Sequence, residues 1–542
     1  MALLNFTHNW FPSVNAFTQN EPDVPYLYQF SSVVPVLWNR SYTKVALCRD
    51  VMQYYWDHES RRLRGLMNQL NTTLRTSYSL DNPFLSSILE ECIAKDCNFG
   101  MAYGRLRVIW YTGNWTTILD VLCRREEEDQ ERRQKAVIGN QIVHARLAPR
   151  RVWDLYSNRV VPYWIMDLHS NIRWPRPISH AWVDEKDRAA PVPIPKDVDL
   201  NLIRIEMLNL GAEYAWLDIL CLRQVGGRRE DLCTEEWEVD VPTIGAVYRG
   251  KNVACYLSGL GRPLTLKEGD LDRDRSWFRR AWTLQEVGED RVIAGYTLAE
   301  PLHAEFKDRK YETELLTRFH KQLQSTHEMT FWVPEALKEM WKRVSTNLVD
   351  KIAGLAFLMD FDTIPAYHES ESLKQAWTAF ANSMDEDCRG ELFFLCAEPG
   401  NTGRKWRPSW DQVMTKPVPA YELNPRIGGI DEDSCDAECM EGRVQGLAVV
   451  EEGDRHGVLI VEDDGGIEQF KVTAAHTYPI LEDTYTMIYT CKFVGSRGHG
   501  WVVGRSLPGG KFEKVATLEI SHEEQCSLKA VDSFERHRYI LV

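Results

Sequence analysis

Between residues 151 and 335, short apolar runs alternate with stretches in which apolar residues recur every three to four positions, and this pattern limits the fold most tightly. PISHAWV (177–183) reads as a strand with its exit loop, and EYAWLDILCL (213–222) as a buried strand followed by a loop. NVACYLSGL (252–260) and DRVIAGY (290–296) read as two further strands. Between them, WEVDVPTIGAVYRGK (237–251) sets Val241, Ile244, Val247 and Tyr248 on a helical stripe, and SWFRRAWTLQEVGE reads as a helix stopped by Gly288. Strands alternating with helices predict an α/β unit with a parallel sheet. Ligands of such sheets sit outside the carboxyl ends of the strands.

The chain has 542 residues, too many for one ordinary core at about 150 residues per domain. Residues 1–150 look mainly helical, through YTKVALCRDVMQYYWDHESRRLRGLMNQLNTTL, PFLSSILEECIAKD and TTILDVLCRREEEDQERRQKAVIG. In the last, Glu128 and Arg132, Asp129 and Arg133, and Glu131 and Lys135 stand four apart with the acid first, which reads as a solvated helix or helical linker. The α/β unit at 151–335 is followed by a helical segment at 336–415. From 416 to 542 the chain is β-rich: RVQGLAVVEE, HGVLIVEDD, EQFKVTAAH, YTMIYTC, GWVVGRS, KVATLEI and RYILV, separated by turns such as DDGG and LPGGK, predict a small antiparallel sheet or barrel.

The net charge of −15 argues against general binding to nucleic acid or to anionic membranes, which need a basic face. No apolar run reaches the ~20 residues of a spanning helix, and MALLNFTHNWFPSV lacks the basic start of a signal peptide. The 13 scattered cysteines read as reduced thiols of a cytoplasmic protein rather than a disulfide framework. Cys92 with Cys97, and Cys435 with Cys439, lack the second pair that zinc spacing requires, so no metal is expected.

Several motifs are missing. No phosphate-binding G-x-x-x-x-G-K-[ST] loop occurs, Gly259 and Gly261 lack the third glycine of a dinucleotide fingerprint, and there is no G-x-S-x-G elbow. Ser179 and His180 are neighbours on a strand and so point to opposite faces, which argues against a nucleophile–base pair. What remains is a constellation of PISHAWVDE, YAWLDILCLRQ and RSWFRRAWTLQEV. On a helix through the third, Phe278, Trp282 and Glu286 share a stripe and Arg275 and Arg279 adjoin it. A carboxylate at the end of an aromatic stripe near guanidinium groups suits a ligand with a flat cationic ring and phosphates, such as oxidised nicotinamide dinucleotide (NAD). The competing reading makes the aromatics core and Glu286 a solvated helix residue. Asp218 stands near a strand's carboxyl end and is either a loop cap or a site residue. Cys221 reads as a small buried apolar residue.

These three stretches resemble the HET domain, the fungal heterokaryon-incompatibility module. Ile178-Ser179-His180-Ala181-Trp182 is similar to its first motif, Ala215 to Gln224 to its second, and Arg280-Ala281-Trp282-Thr283-Leu284-Gln285-Glu286 to its third. Val183 stands where the first motif often has glycine, and the second reads Cys-Leu-Arg-Gln rather than Cys-Ile-Asn-Gln. The resemblance covers about residues 150 to 290.

HET domains are in turn similar to TIR domains, so the resemblance implies a TIR-like, flavodoxin-like parallel sheet. Many enzymatic TIR domains cleave the nicotinamide–ribose bond of NAD with a glutamate in a Trp-x-x-x-Glu motif, which Trp282 and Glu286 match. It follows from the resemblance that Glu286 is catalytic and that Ser179, His180, Trp182, Asp218, Arg279 and Trp282 line the nucleotide site. NAD would be a substrate, with no further cofactor. The resemblance also implies self-association through the domain, an unidentified protein trigger, and a role in self/non-self recognition and cell death. A non-enzymatic interaction module and a nucleotide sensor are the alternatives.

Overall fold

The computed structural model describes residues 63–542 apart from 296–332 and short interruptions, the largest being 169–173, 183–187, 263–268, 417–421 and 529–533. The chain divides into two compact units, Met1–Glu328 with Ala366–His368, and Met329–Pro365 with Glu369–Val542.

The first unit opens with helices α1 (Leu63–Leu74), α2 (Pro83–Ala94), α3 (Phe99–Leu106) and α4 (Ile118–Lys135). Asn82 starts α2, its side chain accepting from the amides of Phe84 and Leu85, with Pro83 at the first helical position, where its missing N–H costs nothing. Leu66, Leu70 and Leu74 form the buried stripe of α1, and they share one hydrophobic core with Val152, Val161, Ile165 and Tyr214 of the α/β region. Arg107, fully buried, forks onto Asp154 at 3.2 and 3.0 Å and lies over the rings of Tyr156 and Tyr214. On α4 the expected pairs Asp129–Arg133 and Glu131–Lys135 form at 3.1 and 2.8 Å. Glu128 instead meets Arg124 and Arg125. The solvated reading fails on one face, because Arg133 is buried and reaches Asp240 and the carbonyl of Ala148.

The sheet of this unit contains β1 (Arg151–Asp154), β2 (Arg159–Pro162), β3 (Arg176–His180), β4 (Tyr214–Trp216), β5 (Asn252–Tyr256) and β6 (Asp290–Ile293), in the order β6-β5-β3-β4-β1-β2. β6, β5, β3 and β4 run parallel, while β1 joins β4 antiparallel and forms a hairpin with β2. The α/β expectation therefore holds, with an antiparallel edge added. Pro177 to His180 are all buried, the continuous burial of a parallel strand covered on both faces. Helices α5 (Leu200–Asn209, capped by Asp199), α6 (Cys233–Asp240) and α7 (Ile244–Tyr248) lie in the connections. β4 lies on one side of β3 and β5 on the other, so the connections leaving the carboxyl ends of these strands diverge there, the switch point at which open α/β sheets bind ligands.

Several boundaries differ from the sequence reading. The run 213–222 is strand only over Tyr214–Trp216, and Asp218–Cys221 forms one helical turn. The stripe across 237–251 is two helices, interrupted around Pro242, which lacks the N–H that a continuous helix would need. The helix expected over 275–287 is absent. Two short 3-10 turns, Trp277–Arg279 and Trp282–Leu284, flank Arg280, whose backbone is extended (ψ 137°). The hydroxyl of Thr283 donates to the carbonyls of Trp277 and Arg280, pinning one turn onto the other. Gly288 lies outside the described residues.

In the second unit, helices α8 (Val333–Trp341), α9 (Val349–Ala356), α10 (Leu373–Ser383), α11 (Glu386–Leu395) and α12 (Trp410–Thr415) precede the β region. Capping boxes at Ser372–Gln375 and Ser409–Gln412 start α10 and α12. The β region consists chiefly of β7 (Ser434–Gln445), β8 (Arg455–Asp463), β9 (Gly466–Ala474), β10 (Asp483–Tyr489), β11 (Gly498–Leu507), β12 (Lys511–Ser521) and β13 (Glu535–Leu541). All pairings around β7-β8-β9-β12-β11-β10 and back to β7 are antiparallel, so the expected sheet closes into a barrel. Val444, Leu459, Phe470, Met487, Trp501 and Leu518 belong to its core. Lys514 on β12 is buried and donates to the carbonyls of Phe393 and Cys396 at the end of α11, satisfying groups the helix leaves open. Among the described residues no helix is long and apolar enough to cross a membrane.

Candidate active site

Ser179 and His180 end β3 at the switch point of the sheet, and strand alternation gives them different partners. Ser179 is fully buried; its hydroxyl donates to Glu286 Oε2 at 2.5 Å and its oxygen accepts from the indole N–H of Trp277 at 2.7 Å. His180 Nε2 meets Asp218 Oδ1 at 2.9 Å. Asp218, at the start of the turn after β4, also accepts from Trp182 Nε1 at 2.5 Å and from the amide of Ile219 at 2.7 Å. Loops leaving three different strands thus contribute to one cluster: β3 gives Ser179, His180 and Trp182, β4 gives Asp218, and the connection from β5 to β6 gives Trp277 and Glu286.

Glu286 is only 6% exposed, which excludes a carboxylate in bulk solvent. Its charge acts on both His180 and Tyr248. Burial and then the Glu286 charge push the Tyr248 phenol well above its ordinary range, so it stays protonated and donates to the carbonyl of Ile178 at 3.1 Å. Burial works to lower the pKa of His180, but the charge and hydrogen bond of Asp218, aided by Glu286, outweigh it and the imidazole lies above its ordinary 6.5. Geometry agrees. Nε2 faces a carboxylate and Nδ1 faces the Ala181 carbonyl at 3.3 Å, and two acceptors call for two N–H donors, the imidazolium form. Burial likewise works to raise Asp218, but His180, Trp182 and Ile219 together hold it below 3.8. The cluster is therefore an imidazolium–carboxylate pair beside a second, aromatic-walled carboxylate.

Ser179, His180, Trp182, Asp218 and Glu286 are brought together as the sequence suggested. Arg279 is directed elsewhere, to Asp274 at 3.5 Å, and Trp282, half-buried, packs edge-on to Tyr367 with ring centroids 6.2 Å apart. The interruption at Arg280 explains this: without a continuous helix, residues four apart no longer share a face. Arg275 is exposed. Cys221 is buried with its thiol pushed up to about 12 by burial, so it is a neutral packing group, as read from the sequence. Trp277 was missed. Its indole is fully buried and its N–H fixes Ser179, a role that no spacing rule signals. Among the described residues no group of His, Cys, Asp or Glu side chains is arranged to hold a metal ion.

A second layer braces the β4 loop. Arg151 and Arg223 both bind Glu236, and burial, which would raise this carboxyl, is overcome by the two guanidiniums, so it falls to about 2. Arg151 also donates to the carbonyl of Cys221 at 2.9 Å, tying the turn that begins at Asp218 to β1. Arg223 is where the sequence departs from the HET motif, and here it anchors the loop. Compared with protein-family models, curated proteins and solved structures, the chain matches none.

Proposed function

We propose that the chain is a HET-type protein whose α/β unit is TIR-like and cleaves the nicotinamide–ribose bond of NAD. The parallel strands, counted in chain order from β3, lie 2-1-3-4, the flavodoxin-like order, and the cluster stands at the carboxyl ends where ligands of that fold bind. The observation that carries the reading is the buried Glu286 carboxylate held by Ser179 at 2.5 Å beside the switch point of the sheet.

The chemistry needs such a group. Nicotinamide leaves from NAD as a neutral molecule because its ring nitrogen is already cationic, so little acid catalysis is required. The cost lies in the positive charge that develops on the ribose carbon, and a fixed carboxylate lowers it. Ser179 fixes the orientation of Glu286, and Trp277 fixes Ser179. His180, Asp218 and Trp182 form a hydrogen-bonded triplet near Glu286, and its imidazolium, with both N–H groups already engaged, would act on the ligand's hydroxyl or phosphate oxygens through its charge alone. Water or an atom of the ligand then takes the ribosyl cation. Self-association would complete or expose the site, and depletion of NAD would link it to cell death in self/non-self recognition.

The full burial of Ser179 favours the alternative in which this bond is purely structural and the unit is an interaction module or nucleotide sensor. The purified chain, free and artificially clustered, incubated with NAD and assayed for nicotinamide, separates them. Release that falls at least about a hundredfold in a folded Glu286→Gln variant supports the enzyme. Equal turnover in both removes Glu286 from the chemistry, and absence of release together with absence of NAD binding leaves the interaction module.

A further inference from the structure

Gln285 immediately precedes Glu286 and is 6% exposed, yet neither its amide nitrogen nor its amide oxygen has a hydrogen-bond partner. Its backbone is settled, the N–H donating to the carbonyl of Trp282 at 3.2 Å. Leaving a buried donor and a buried acceptor both unmet costs about 1–3 kcal/mol for each group. Native proteins do this rarely, and such a side chain calls for an explanation. The contrast with other polar side chains of the site is sharp: Ser179, Thr283 and Asp218 are each provided with partners.

We infer that Gln285 is a specificity residue that reads the carboxamide of the nicotinamide ring. The inference rests on the NAD reading and deepens it. A glutamine amide offers one donor and one acceptor side by side, and the group that answers both at once is another primary amide, with its own acceptor and donor reversed. The pyridinium carboxamide of NAD is such a group, and it lies on the same ring whose bond to ribose Glu286 would act on. A dinucleotide carrying a carboxylate in place of the carboxamide offers two acceptors and no donor. It would leave Oε1 of Gln285 facing a negative oxygen. A site built around a paired amide therefore discriminates against the carboxylate more strongly than shape alone allows.

The test measures binding of NAD and of its pyridine-carboxylate analogue to the full chain, free and clustered, with Gln285→Leu and Gln285→Glu as variants. Melting temperatures without ligand are recorded alongside. The wild-type chain should prefer NAD at least about tenfold, and Gln285→Leu should reduce that preference to within about threefold. The same substitution removes an unmet amide, so the ligand-free melting temperature should hold or rise. Gln285→Glu should still admit NAD and should bind the carboxylate analogue more weakly than wild type does. Undiminished preference in Gln285→Leu, or a melting temperature that drops while preference is unchanged, makes Gln285 a structural residue and overturns the inference, with NAD binding intact. A wild-type chain that binds neither dinucleotide overturns the NAD reading and this inference with it.

Discussion

Ser179 and Glu286 stand 107 residues apart and are joined by a 2.5 Å hydrogen bond, with Trp277 donating to the same serine oxygen from a turn that precedes Glu286. The bond closes the connection between β5 and β6 onto the end of β3. The serine hydroxyl is thereby one of the groups that fix the position of the carboxylate.

Ser179→Ala should therefore act twice. It removes the donor from Glu286 and the acceptor from Trp277, leaving two buried polar groups short of a partner, at about 1–3 kcal/mol each. Denaturant unfolding should show a loss of that order for the first unit, and under the proposed NAD-cleaving function nicotinamide release should fall at least about tenfold. Ser179→Thr keeps the hydroxyl and should recover part of both. Unchanged stability and turnover in the alanine variant would mean that the serine bond positions nothing.

The His180–Asp218 pair sets a pH window. His180 has a folded pKa above its ordinary 6.5, so its contribution is fully present below 6.5 and is lost as pH rises through the raised value. Asp218 has a folded pKa below its ordinary 3.8, so its contribution is present above 3.8 and is lost as pH falls through the lowered value. The pair is worth most between those limits. Asp218→Asn should cost about 3–5 kcal/mol near pH 6, because it strands a buried cation, and the cost should shrink toward alkaline pH as His180 sheds its proton. Thermal unfolding of both chains from pH 5 to 9 reads this directly; a difference independent of pH would show that His180 is neutral throughout.

How much of this was legible follows from what each signal measures. The parallel strands were readable because Ile178, Ala215, Trp216, Val253 and Ala254 are buried on both sides and leave runs without polar interruption. The barrel strands were readable for the opposite reason: Lys511–Ser521 alternates exposed or half-buried with buried positions along its length. The stretch 275–287 misled because Phe278, Trp282 and Glu286 satisfy helical spacing, while the local structure is decided by Trp277 reaching a serine on another strand and Thr283 bonding two backbone carbonyls. Tertiary bonds override periodicity there, so the sequence singled out Glu286 only through the motif resemblance, and it gave no sign of Trp277.

In the second unit Glu391 is 3% exposed and accepts from the amide of Val333 at 2.9 Å. Burial raises its carboxyl from 4.5 to about 8, with the amide of Val333 working against the shift. The folded state thus holds a proton that the unfolded chain releases, so stability is greatest below 4.5 and is lost as pH rises toward about 8, by up to about 4 kcal/mol. Glu391→Gln keeps an acceptor for Val333 without a titrating proton. It should be more stable than wild type at pH 8 and equal to it near pH 4, measured by denaturant unfolding of the full chain. Parallel pH profiles for the two would place the carboxyl in contact with water.

Gly504 on β11 sits where the pairing with β12 shifts register, and a Cβ there would lie 2.2 Å from the ring of Phe512 and 2.6 Å from the carbonyl of Glu513. Phe512 is fully buried in a cluster with Phe393, Trp406 and Tyr539, so it has nowhere to move. Gly504→Ala should cost about 3 kcal/mol through forced displacement in a packed core. Gly509 is the informative control. It needs its positive φ of 83°, but a Cβ there meets nothing within 4 Å, so Gly509→Ala should cost only about 1 kcal/mol of backbone strain. Combining Gly504→Ala with Phe512→Leu removes the clashing ring edge, and the double variant should lose less than the sum of the single losses. Additive losses in the cycle would mean that the glycine is required by the backbone of the bulge rather than by the ring of Phe512.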